Sequence, residues 1–300
     1  MKFPWIGRKR WFHDESGSPL VMNSFLIKKP YVFLRKKTQI GQRIKIVNSV
    51  GFGKMFVIDG SVQSAERDEL IYHQALVHPA AILLGESPRR VLILGGGEGA
   101  TLREVLRYRS VEEAVMVDID GEVIKVTQEW LPSMWQDAYK DSRARIIITD
   151  ALRYLRENRT YFDLIISDLT DPGDGGVSSH LYTPEYYQLI SRRLFPGGIF
   201  VMQSHELSRI AFEDHKRNRR EVEEVFGQVF SCRRYVPSCG LEQSFILAGE
   251  EVEDSLRFLP GHFDERVRER IGYELEEYSG DIHRSLFTLS PDLEKKLAVL

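Results

Sequence analysis

Six carboxylates in this chain recur at one kind of place, directly after a short apolar run. Glu98 follows 91–94, Asp118 and Asp120 follow 114–117, Asp150 follows 145–148, and Asp168 and Asp171 follow 162–166. Such runs read as buried parallel strands, and an open parallel sheet binds ligands outside the carboxyl ends of its strands. The six acids are therefore expected around one crevice. Asp118 lies about 20 residues past the turn Gly95-Gly96-Gly97-Glu98-Gly99, the offset of a carboxylate that binds ribose hydroxyls. Asp150 is placed to accept a hydrogen from an adenine amino group, because an ionised carboxylate only accepts. Gly95, Gly97 and Ala100 also fit the loose dinucleotide spacing. Glu98 argues against a dinucleotide, because a pyrophosphate on this turn would meet a carboxylate among the N–H groups that should receive it.

An adenosine accounts for Asp118 and Asp150 and leaves Glu98, Asp168 and Asp171. Three like charges in one crevice raise each other's pKa unless a cation joins them. A divalent metal is one such cation. A cationic nucleoside is another and explains the adenosine carboxylates as well, so no metal is expected. The ligand is then a sulfonium, S-adenosylmethionine or its decarboxylated form. Glu98 separates the two, since it would repel the methionine carboxylate and hold a bare aminopropyl ammonium. The residues thus point to transfer of an aminopropyl group to an amine.

These acids need a scaffold. The apolar runs alternate with segments of helical spacing at 101–108, 122–131, 152–157 and 184–194, and a fifth strand follows at 199–202. The fold class is α/β, with a Rossmann-like, mostly parallel sheet covered on both faces. A helix beginning near Leu70 is expected to end near Pro79. An amphipathic helix at 212–226, strands at 230–236 and 244–248, and a helical segment after Asp264 complete the chain. Residues 1–65 differ: short strand-like runs at 11–12, 21–27, 31–35, 42–48 and 54–58, punctuated by Gly51-Phe52-Gly53 and Asp59-Gly60, predict a small antiparallel β domain. The expected division is 1–65 and 66–300, the smaller part packing on its neighbour or on a second subunit.

Composition removes other classes. A net charge of −3 gives no pull toward nucleic acid or anionic membrane. The basic run His215-Lys216-Arg217-Asn218-Arg219-Arg220 is flanked by five acids, as a solvated helix face would be. No apolar run approaches a membrane span, and 1–12 lacks the apolar stretch of a secretory signal. A cytoplasmic location is the expectation. Two cysteines, Cys232 and Cys239, make neither a disulfide scaffold nor a zinc site.

Taken together, the motifs resemble the polyamine aminopropyltransferases: spermidine synthase and, more closely, thermospermine synthase and the triamine/agmatine aminopropyltransferases of thermophiles. The resemblance rests on Gly53-Lys54, Asp59-Gly60, Gln63, Glu66-Arg67-Asp68-Glu69 and Tyr72-His73, on the glycine turn, on Asp118-Ile119-Asp120 and Asp150-Ala151, and on Asp168-Leu169-Thr170-Asp171-Pro172. It implies a sheet of the class I methyltransferase type. It also implies that Gln42, Gly95, Gly97, Asp118, Ile119, Asp150 and Ala151 hold the methylthioadenosine part. Glu98 would hold the aminopropyl ammonium, and His73 and Gln63 would line the polyamine channel. Asp168, with Tyr72, would take the proton of the acceptor amine, and Asp171 would orient that amine. Decarboxylated S-adenosylmethionine would be a co-substrate, with no cofactor and no metal. Partners would be small molecules only, in a homodimer or homotetramer. The chain departs from the commoner spermidine synthase pattern at Glu98, where aspartate is usual, and at Leu169 and Thr170. It departs again at Gly173-Asp174-Gly175-Gly176, and at Ser238-Cys239-Gly240, where an aromatic residue commonly faces the acceptor. Putrescine, agmatine or spermidine all remain open as acceptor. The alternatives are a methyltransferase using intact S-adenosylmethionine, an NAD-dependent oxidoreductase and a polyamine-binding protein without activity.

Overall fold

The computed structural model describes residues 10–14, 23–171, 178–250, 252 and 258–298. Its first part is a five-stranded antiparallel meander of β1 (Arg10–His13), β2 (Ser24–Lys37), β3 (Arg43–Ser49), β4 (Gly53–Ile58) and β5 (Ser61–Ala65). Period-two alternation gives this sheet two apolar faces. Phe56 and Ile58 of β4 join Ile44 and Ile46 on one face, while Met55 and Val57 join Phe25, Val47 and Val62 on the other. The first face shares its core with Ala100, Val123, Val126, Leu131 and Met134, so the small sheet packs on helices of the larger part. Two details differ from expectation. β2 is one strand, not two: Pro30 sits where the β2–β3 register is irregular, between Ile27 and Val32, so its missing N–H costs no regular ladder bond. β5 forms from polar residues that alternation alone does not mark.

A helix, α1 (Glu69–Leu83), leads into a seven-stranded sheet. The alternating elements are β6 (Arg90–Gly95), α2 (Ala100–Leu106), β7 (Glu113–Asp118), α3 (Gly121–Trp130), the single turn α4 (Pro132–Trp135), β8 (Ala144–Ile148), α5 (Ala151–Glu157), β9 (Phe162–Asp168), α6 (Pro184–Ser191) and β10 (Leu194–Glu206). Then come α7 (Glu213–Glu223), β11 (Gln228–Val236), β12 (Leu241–Gly249), α8 (Pro260–Arg270), α9 (Gly280–Phe287) and α10 (Pro291–Ala298). The strand order is β11-β12-β10-β9-β6-β7-β8, parallel from β8 to β10 and antiparallel at β12 and β11. β6 shows why both faces are covered: Val91 and Ile93 enter one core, Leu92 and Leu94 the other. α1 does not stop near Pro79 but runs four residues beyond it. Every residue from His73 to Leu83 is buried, and that packing outweighs the lost bond of an interior proline, about 3 kcal/mol. Cys232 and Cys239 are both free. The basic face of α7 is paired, Arg217 with Asp214 at 2.7 Å and Arg219 with Glu223 at 2.7 Å. Among the described residues no helix is long and apolar enough to cross a membrane.

Candidate active site

The parallel strands β6, β7 and β9 end side by side, and their ends carry the acids. Gly95 pairs with Asp168 in the β6–β9 register, and the Gly96 N–H donates to the Asp168 carbonyl at 3.0 Å. Gly95 has φ 88°, and a Cβ there would lie 2.1 Å from that carbonyl oxygen. Glycine is thus required twice, for the left-handed backbone and for the close approach. Gly95→Ala is expected to destabilise the fold by about 3 kcal/mol or more. Urea unfolding checks this, with Gly85→Ala, whose Cβ meets nothing within 4 Å, as the neutral comparison.

Asp168 is held from both sides. The Tyr72 hydroxyl donates to Oδ1 at 2.8 Å and the Thr101 hydroxyl to Oδ2 at 2.5 Å. Burial raises the Asp168 pKa, the Glu98 charge raises it further, and His73 opposes both. Burial and then Asp168 push the Tyr72 phenol well above its usual range, so Tyr72 remains a donor. One ligand atom from each of His73, Glu98 and Asp168 lies within 4.8 Å of the others.

His73 is buried between two carboxylates. Its Nδ1 is 2.7 Å from the Glu69 carbonyl and 2.8 Å from Glu69 Oε2, and its Nε2 is 3.3 Å from Glu98 Oε1. Burial alone would lower its pKa, but the hydrogen bonds and charges of Glu69 and Glu98 raise it to about 10. Glu69 is in turn clamped by Arg103, whose two terminal nitrogens donate at 2.8 and 2.9 Å. The i,i+4 spacing of Glu69 and His73 puts both on one face of α1.

Asp118 and Asp150, the acids expected to hold a nucleoside, stand close to helix starts. Asp118 Oδ1 accepts from the Asp120 N–H at 2.8 Å, and burial, reinforced by Glu98 and Asp120, pushes its pKa up to about 7. Ile119 is 37% exposed, a free apolar surface beside it. Asp150 caps α5, its Oδ1 accepting from the Arg153 N–H at 2.8 Å, while His180 Nε2 lies 2.7 Å from Oδ2. A ligand donor that reached Asp150 Oδ2 would have to share it with His180 or displace His180. Ala151 is the first, buried residue of α5.

A matching family model, the spermine/spermidine synthase domain, covers residues 69–254. The chain belongs to the spermine/spermidine synthase family. It is 45% identical over 246 residues to the polyamine aminopropyltransferase of Aeropyrum pernix, covering 81% of this chain and 78% of that one. It is 39% identical over 294 residues to that of Saccharolobus islandicus, covering 98% and 94%. A spermidine synthase in complex with the transition state analogue AdoDATO superposes with TM-score 0.88 at 29% identity, covering 98% and 97%. The spermidine synthase of Thermotoga maritima gives 0.86 at 29%, covering 98% and 96%. The family places this Rossmann-like chain among aminopropyl transferases, not among NAD-dependent oxidoreductases or methyltransferases.

The remaining residues expected at a spermine/spermidine synthase site are less tightly gathered. Gln42 does not begin β3 but closes the β2–β3 hairpin, its N–H donating to Thr38 Oγ1 at 3.2 Å. That hairpin docks on the first turn of α3, where Glu122 accepts from the Gln39 N–H and pairs with Lys36, each at 2.6 Å. Gln63 donates to the Ser61 carbonyl of its own strand at 3.2 Å. Asp171 Oδ1 accepts from Gln203 Nε2 at 2.6 Å and lies 3.3 Å from His205 Nδ1. Pro172 and the glycine-rich run 173–177 lie outside the described residues. Gln203 and His205 are not reached by sequence reasoning that ends the fifth strand at 202, whereas β10 runs to Glu206. Carrying the strand-end rule four residues further would find both. Thr101 and Arg103 have no such signal, since only the packing of α2 on α1 shows where they point. A surface depression lined by Leu84, Arg89, Asp163, Phe195 and Gly198 lies at the opposite ends of the strands, away from this site.

Proposed function

We propose that the chain moves the aminopropyl group of decarboxylated S-adenosylmethionine to a di- or triamine and releases methylthioadenosine. The observation that carries the reading is the cluster of Glu98, His73 and Asp168 at the glycine turn, where an ammonium meets two carboxylates and a methionine carboxylate would be set against the same two. Asp118 and Asp150 are assigned to the nucleoside, with Gln42, Gly97, Ile119 and Ala151 around it. Glu98 holds the donor ammonium. The acceptor enters along Gln63, His73 and Asp171. Asp168 accepts a proton from its ammonium, because the attacking nitrogen needs a free lone pair. Tyr72 fixes the carboxylate and takes no proton itself. The neutral amine then attacks the carbon next to sulfur, the C–S bond breaks, and neutral methylthioadenosine leaves. Holding two cations in line supplies much of the barrier reduction, about 7–11 kcal/mol for well-aligned reactants.

The reading needs no metal. The positive charge that Glu98 and Asp168 call for comes from the donor and acceptor ammonium groups. Turnover is expected to survive prolonged treatment with EDTA unchanged. The deciding experiment incubates the protein with decarboxylated S-adenosylmethionine and, separately, putrescine, agmatine, cadaverine or spermidine. Methylthioadenosine should form in equal amount with a longer amine. Adenosylhomocysteine from the intact donor, or no methylthioadenosine with any amine, would overturn the assignment. The reading extends to spermidine or thermospermine synthesis in the cytoplasm by a homodimer or homotetramer. Trp11, 52% exposed on the outer strand β1, supports an assembly, which light scattering tests.

A further inference from the structure

The geometry described favours a charged ring at His73. The Glu69 carbonyl only accepts, so the nitrogen 2.7 Å from it, Nδ1, carries a hydrogen. An ionised Glu98 also only accepts, so against that carboxylate Nε2 carries one as well. An imidazole with two N–H groups is an imidazolium. It stands in the space between Glu98 and Asp168, where the donor's ammonium is assigned. Two cations cannot share Glu98 without strong repulsion in a site screened from water.

We propose that His73 is an internal cation that balances Glu98 and Asp168 in the empty site, and that the donor's ammonium replaces it: the Nε2 proton leaves to solvent, and Nε2 then accepts a hydrogen bond from that ammonium. Glu69 makes the exchange directional. Clamped by Arg103 through two hydrogen bonds, it keeps the proton on Nδ1, so the nitrogen that empties is the one facing the substrate. The charged and titratable groups facing the ring are Glu69 and Tyr72 from α1, Glu98 from the turn before α2, Asp168 from β9 and, through Glu69, Arg103 from α2. Charge is conserved locally: one positive unit goes as one arrives, and Asp168 keeps the anionic form that its role as base requires. Glu69 and Arg103 are then positioning residues for the ammonium subsite. The inference rests on the assignment of an aminopropyl donor.

Nitrogen-15 NMR of the histidine-labelled protein tests it, with His73→Gln identifying the His73 signals among the eight histidines. At about pH 8.5 the free protein should show His73 with both nitrogens protonated. A cation at contact distance from Glu98 should lower the proton affinity of His73 about a hundredfold. Saturation with decarboxylated S-adenosylmethionine should therefore leave His73 mostly neutral, with the remaining proton on Nδ1. Methylthioadenosine, which has no ammonium, should leave the imidazolium in place. In Glu69→Gln, His73 should lose its proton in the free protein already. A neutral His73 in the free wild-type protein, or an imidazolium that persists in the donor complex, would overturn the proposal. If the decarboxylated donor neither binds nor turns over, the aminopropyl assignment itself falls, and this inference with it. Turnover with an unchanged imidazolium sinks the exchange alone.

Discussion

Asp168→Asn will lower kcat by about 10²–10⁴, the usual contribution of a positioned general base, while methylthioadenosine binds within a fewfold of the wild-type affinity. The amide keeps the volume of the carboxylate and can still accept from Tyr72 or Thr101 through its oxygen. It cannot accept the proton of an acceptor ammonium. The backbone of residue 168 should be undisturbed, because its carbonyl, not its side chain, accepts from Gly96. Single-turnover rates with preformed donor complex separate the two effects, and calorimetry with methylthioadenosine checks the binding half. Near-normal turnover in this variant would remove Asp168 from the role of base. The wild-type profile carries a further mark. Burial and the neighbouring Glu98 raise the Asp168 pKa, so activity should fall on the acid side at a higher pH than an ordinary aspartate would dictate.

Asp168 and Glu98 are legible in the sequence for a physical reason. A buried parallel strand must read as an unbroken apolar run, and its carboxyl end is where an open sheet binds. Acids directly after such runs are therefore placed before any tertiary contact is known. The same rule puts Asp118 and Asp150 on the crevice, and the seven-stranded order agrees with it. Arg103 is different. It sits inside α2 with nothing local to distinguish it from a surface arginine, and only the packing of α2 on α1 turns it inward to Glu69. His180 reaches Asp150 across thirty positions of chain. The hairpin of Gln42 is misplaced by one residue because a strand boundary depends on the turn's hydrogen bonds, here Thr38 N–H to the Gln42 carbonyl at 2.9 Å, and alternation does not encode them. α1 runs through Pro79 because a local penalty of about 3 kcal/mol yields to burial of a long helix, and β2 runs through Pro30 because the irregular β2–β3 register asks no N–H of it.

Glu98→Gln separates charge from shape at the glycine turn. Glutamine fills the same space and its oxygen can still accept, so methylthioadenosine should bind within about threefold of wild type. The decarboxylated donor loses a hydrogen bond to a charged group, about 1.5–3 kcal/mol, and should bind roughly 10–100-fold more weakly. Intact S-adenosylmethionine should move the other way relative to it. With the carboxylate gone, the repulsion that disfavours the methionine carboxylate is also gone, so discrimination between the two donors narrows from both sides. The same substitution relieves Asp168 of the like charge that raises its pKa, and the acid side of the rate profile should shift to lower pH with the weaker donor held saturating. A merely structural glutamate, complementing the helix dipole of α2, would give equal losses for methylthioadenosine and for the decarboxylated donor and would leave the profile in place. Equal losses measured by calorimetry would therefore return Glu98 to that minor role and take the choice of donor away from the turn.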